Sequence, residues 1–160
     1  MEDIWNITAL VVSVLSVLLS LYALRQATTK NTSDMYLFFI SQYAKEDMKL
    51  ALRKLKDIKR GVYRLEQWES DMKNNLPKAF EYDEARRLVK YFYDTLAYMK
   101  LEKLIEARFV RLICLKKGAW LYLDTVGAME KFFDSGYDKK PYAVIRDVCE
   151  NLRKEGCCPP

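Results

Sequence analysis

The strongest pattern along the chain is an uninterrupted apolar segment close to its N-terminus. Residues Ile4 to Leu24 carry no charged side chain, two acidic residues precede them, and Arg25 follows. A helix of these 21 residues reaches about 31 Å at about 1.5 Å per residue, which matches the hydrocarbon thickness of a bilayer. The pattern predicts a single transmembrane anchor over residues 1–27.

A cleaved secretory signal is the alternative interpretation of this segment. Such a signal needs a positively charged start, a shorter apolar core and small residues at the cleavage site. Here the start is acidic, the apolar run is longer, and Arg25 stands where cleavage needs a small neutral residue. All 27 lysine and arginine residues lie from Arg25 onward. Because positive charge stays on the cytoplasmic side, we expect a single-pass protein of the cell membrane, with its N-terminus outside and its C-terminal domain in the cytoplasm.

Beyond the anchor, apolar residues recur every three or four positions, and no stretch alternates with a period of two. The pattern predicts an all-α fold: a linker over 28–34, a cytoplasmic bundle of about five or six helices over 35–155, and a tail over 156–160. The first bundle helix is expected to begin at an N-cap on Ser33 or Asp34 and to end near Gly61. Its predicted core face consists of Leu37, Ile40, Ala44, Met48, Ala51, Leu55 and Ile58.

Turn signals separate the later helices. A short helix is predicted over Val62–Asn74, a loop at Asn74–Pro77, a longer helix after Glu84 and another short one over Leu104–Leu115. Gly118 precedes a further helix, and Pro141 suits the first turn of the last one. The inward positions of these three longer helices are Ala85, Leu88, Val89, Phe92, Leu96 and Met99; Trp120, Leu123, Val126, Met129 and Phe133; and Val144, Ile145, Val148 and Leu152.

Small residues follow one another along the predicted anchor at alternating spacings of four and three. Small side chains let membrane helices approach closely, and serine hydroxyls can hydrogen-bond across the contact. The pattern favours packing on another helix, from its own copy or from a larger subunit; the alternative is a chance alignment of residues that are common in such helices. These positions, called the small-residue face, are Ala9, Ser13, Ser16, Ser20, Ala23 and Ala27.

Cations are aligned beside the apolar face of the first bundle helix. A basic amphipathic helix can bind anionic lipid headgroups or an acidic protein surface; the alternative is an ordinary solvated face, since Glu46, Asp47 and Asp57 interrupt it. The same residues carry most of the net charge of +5, so overall basicity gives no separate support for nucleic-acid binding, which we do not expect. These positions, called the basic face, are Lys45, Lys49, Arg53, Lys56 and Arg60.

The chain offers little of the chemistry that catalysis requires. It contains no histidine, which removes the usual general base and most catalytic zinc sites. None of its five glycines belongs to a phosphate-binding loop. Cys114 and Cys149 fall at apolar helical positions, and Cys157 and Cys158 lie in the tail, where acylation or a metal contact is the alternative to a free reduced terminus. We expect no enzyme activity and no cofactor.

The stretch from Ala85 to Met99 places two arginines, Arg86 and Arg87, one turn before a group of aromatic residues. With the anchor and the long helix before it, this stretch resembles a group of uncharacterised prokaryotic proteins with one membrane helix and a small helical cytoplasmic domain. The resemblance implies an architecture and no activity. Two hypotheses follow: a non-catalytic accessory or scaffold subunit of a membrane complex, and a self-associating membrane-bound sensor or effector in stress or phage defence.

Overall fold

A computed structural model of the chain describes residues 2–134 and 140–157, with side chains in the first helix described at 15–23, at 26 and from 33 onward. All regular structure in these ranges is helical, which confirms the all-α prediction. A π-helical turn over Tyr122–Val126 joins the sixth helix to the seventh. The helices are α1 (Glu2–Ala44), α2 (Glu46–Lys59), α3 (Leu65–Lys73), α4 (Pro77–Leu101), α5 (Ala107–Cys114), α6 (Lys117–Leu121), α7 (Gly127–Phe133) and α8 (Lys140–Lys154).

The chain divides between Met35 and Tyr36 into two compact units. The first unit is the N-terminal part of α1. Across the part of the chain that the structure describes, we find no helix with both the length and the apolar character needed to cross a membrane. Several side chains of the predicted anchor, at residues 1–14, 24, 25 and 27, lie outside the described part.

Residues 28–34 are helical and belong to α1. The sequence predicted a linker over these residues, followed by a new helix with its N-cap at Ser33 or Asp34. Threonine, asparagine and serine cost a helix at most about 0.7 kcal/mol per residue relative to alanine, so a short polar run does not have to end it. The helix ends instead at Ala44, because the backbone of Lys45 is extended (φ −60°, ψ 148°). Glu46 and Asp47 then occupy the first turn of α2, where negative charge is favourable.

This break divides the predicted first bundle helix and its core face. Met48, Ala51, Leu55 and Ile58, all on α2, are buried as expected. Before the break, the side of the helix that faces the core is not the one that the sequence predicted. Leu37 is 61% exposed, and Phe39, which was not predicted to be inward, is 1% exposed. In addition, Ile40 is half-buried and Ala44 is exposed.

The longest helix of the second unit, α4, packs against α2, α3, α5, α8 and the π-helical turn. It begins at Pro77, two turns earlier than predicted, because proline at the first helical position lacks only a donor that would have no partner there. Most of its expected inward positions are buried, whereas Leu88 is exposed and Met99 is half-buried. The buried face also holds Asp83 and Arg86, two charged residues that the apolar pattern could not place inside.

Four helices of this unit end in the same left-handed turn. After α2, Gly61 has φ +73°; its N–H donates to the Ile58 carbonyl, and that of Val62 donates to the Asp57 carbonyl. These two bonds satisfy carbonyls that the helix end leaves without partners. The helix end that the sequence placed near Gly61 is therefore confirmed.

The last helix, α8, packs against α4 and α5. Of its predicted inward residues, Ile145, Val148 and Leu152 are buried and Val144 is half-buried. Arg111 on α5 makes a bidentate ion pair with Glu155, just after α8, and the hydrogen bonds from this guanidinium lower the pKa of Glu155. In the segment between these helices, Val126 and Met129 are buried as predicted, Trp120 and Leu123 are half-buried, and Phe133 is exposed.

Candidate interaction surfaces

The described apolar part of α1 is exposed along its whole length. Every side chain from Leu15 to Ala23 is exposed, with Leu19 68% and Tyr22 66% exposed. Burying one large apolar side chain is worth about 1.5–3 kcal/mol, and a helix that is apolar on all sides normally lies in a protein core or a membrane. A surface of this kind is typical of a helix that is buried in a membrane or against protein.

The small-residue face lies on this segment, and the structure describes three of its side chains. Ser16, Ser20 and Ala23 are exposed, and the Ser20 hydroxyl donates to the Ser16 carbonyl at 2.8 Å. This bond leaves the Ser20 oxygen able to accept a hydrogen bond from a neighbouring helix. The other three positions, Ala9, Ser13 and Ala27, lie outside the described side chains.

The basic face occupies one side of α2 and the two residues that flank it. All five of its side chains are exposed, and Lys49 is 3.5 Å from Glu46 in an exposed pair. Within the described ranges, the other four cations make no ion pair. Lys54 and Lys59, elsewhere on α2, pair with Glu81 of α4 and Asp124 of the π-helical turn at 3.0 Å and 2.6 Å. Lys54 and Lys59 thus make ion pairs to other elements of the unit, whereas the basic face makes only the pair between Lys49 and Glu46 within the described ranges.

A groove opens between the end of α1, the start of α2 and the outer side of α4. Its volume is about 250 Å³, and its floor is formed by the buried side chains of Phe39, Met48 and Phe92. Phe38, Leu88 and Tyr91 form the sides and are 50%, 37% and 73% exposed. Polar side chains, Gln42, Lys45, Asp47 and Thr95, complete the lining. Lys45 belongs to the basic face as well, so the apolar groove and the basic face are adjoining surfaces.

The arginine pair that the sequence singled out has a structural explanation. Arg86 is buried, and its Nε donates to Asp83 Oδ1 at 2.7 Å while its Nη1 pairs with Glu130 Oε1 on α7. Its guanidinium lies 4.7 Å from the ring centre of Phe133. Arg87 is exposed and its Nη2 reaches Asp83 Oδ2 at 2.7 Å. The buried network of Asp83, Arg86 and Glu130 connects α4 to α7. The sequence could not indicate Glu130 as a partner of Arg86, because the two residues lie far apart along the chain.

The pKa of one buried thiol, Cys114, and of two tyrosine hydroxyls is raised above the ordinary value. Cys114 and Cys149 are both buried, in agreement with their apolar helical positions. The hydrogen bond of the Cys114 thiol with Cys149, together with burial, raises the pKa of Cys114. Burial also raises the pKa of Tyr93 and of Tyr43, whose hydroxyl accepts a bond from the Gly118 N–H at 3.2 Å. Since the thiolate is the reactive form of cysteine, Cys114 is placed as a packing residue.

Side chains that could bind a metal do not form a cluster in the ranges that the structure covers. Residues 2–134 and 140–157 contain no group of three or more cysteine, aspartate or glutamate side chains that could hold a metal ion. Cys157 is exposed, and Cys158 lies outside the described residues.

Comparisons of the chain with protein-family models, with curated proteins and with solved structures give no match.

Proposed function

We propose that this protein is a non-catalytic accessory or scaffold subunit, anchored in the cell membrane by α1 and bound to a larger membrane complex. One observation carries the proposal: the side chains from Leu15 to Ala23 contain no charge and are all exposed. Apolar surface of this extent is covered by lipid or by another protein. The N-terminus then faces outward, and the helical domain lies in the cytoplasm beside the anionic leaflet.

The basic face and the groove support the same proposal from the second unit. Exposed cations without internal partners are available to lipid headgroups, at about 1 kcal/mol for each charge near an anionic surface, or to a partner's carboxylates. The groove adds apolar contact next to them. A binding role uses both surfaces.

Membrane fractionation tests the anchor. The native protein should remain in the pellet after alkaline carbonate washing, and protease should digest its helical domain only in inside-out vesicles. A variant with Leu15, Leu18 and Leu19 changed to aspartate should move to the supernatant, because each charge at the centre of a bilayer costs about 2.5–3.5 kcal/mol. Release of the unaltered protein by carbonate, or protection of its domain in inside-out vesicles, would contradict the proposal.

Charge reversal tests the basic face. Changing Lys49, Arg53 and Lys56 to glutamate should leave residues 36–157 helical, because glutamate is a good helix former. The altered segment should co-sediment less with phosphatidylglycerol vesicles than the unaltered segment. Binding of the unaltered protein should also weaken as salt rises.

The matched control makes the same change of charge elsewhere. Lys116, Lys117 and Lys131 are exposed cations outside the basic face, and their reversal to glutamate should lower vesicle binding much less. If the two triple variants lose equal amounts of vesicle binding, the basic face contributes only through the net charge of the protein. Normal binding by the first variant at low salt would assign any interaction to α1 or to the groove.

A second candidate function is a self-associating membrane-bound sensor or effector. The exposed outer side of α4 favours it, because apolar and aromatic side chains recur there at regular intervals. Purification in mild detergent, followed by mass measurement and peptide identification, distinguishes the candidates. An accessory subunit should co-purify with other proteins, and a self-associating effector should co-purify mainly with itself.

A further inference from the structure

We draw no further inference here: the strongest candidate, the apolar groove between the end of α1, the start of α2 and the outer side of α4, carries none because nothing in the structure shows what covers it.

Discussion

Replacing Arg86 with alanine should lower the free energy of unfolding by about 3–5 kcal/mol, the effect of breaking a buried ion pair by removing one partner. Arg86 is 7% exposed and Asp83 is 1% exposed. Without the guanidinium, Asp83 loses its buried partner and Glu130 loses its contact across to α4. Urea unfolding of residues 36–157, followed by circular dichroism, measures the change.

Two further variants separate the buried charge from the rest of the network. Arg87→Ala should cost clearly less than Arg86→Ala, because Arg87 is exposed and water can replace the hydrogen bond that its guanidinium makes to Asp83. The combined change Asp83→Leu, Arg86→Met and Glu130→Leu should recover most of the stability that Arg86→Ala loses, since apolar side chains can replace a buried ion network at little cost. If Arg86→Ala costs no more than Arg87→Ala, the network is not a structural tie between α4 and α7.

The sequence predicted the helices correctly where the spacing of apolar residues agreed with the residues that begin or end a helix. The core side of α2 and the end of that helix at Gly61 followed from both signals. The start of α4 did not, because the composition of residues Asn74 to Pro77 predicts a loop, although proline also suits the first turn of a helix. The break at Lys45 was missed because the apolar period continues across it, and only the acidic pair Glu46 and Asp47 indicates a new helix start.

The interaction surfaces were only partly predictable, for a related reason. Exposure of the basic face follows from charge alone, because lysine and arginine are rarely buried without a partner. Arg86 breaks that rule only because Asp83 and Glu130 surround it, and Glu130 is brought there by the tertiary fold. The groove depends on tertiary structure as well: Leu37 and Leu88 were expected to be buried, yet both are exposed, and Phe39 takes the inward position on α1.

Replacing Phe92 with alanine should lower the free energy of unfolding by about 3–5 kcal/mol, the range for removing a buried phenylalanine ring. Phe92 is 5% exposed, and its ring centre lies 5.4 Å from that of Phe39 and 5.0 Å from that of Tyr93. It forms the floor of the groove, so its loss leaves a cavity where the end of α1 meets α4. Urea unfolding of residues 36–157 at low protein concentration measures the loss.

The neighbouring residue provides the control, because Tyr91 is 73% exposed on the same turn of α4. Tyr91→Ala should change the free energy of unfolding by no more than about 0.5 kcal/mol, as surface substitutions usually do. The two variants thus separate the floor of the groove from its side. A loss below about 1 kcal/mol for Phe92→Ala would mean that its ring is not part of the core. The groove between the end of α1, the start of α2 and α4 would then lack a rigid floor.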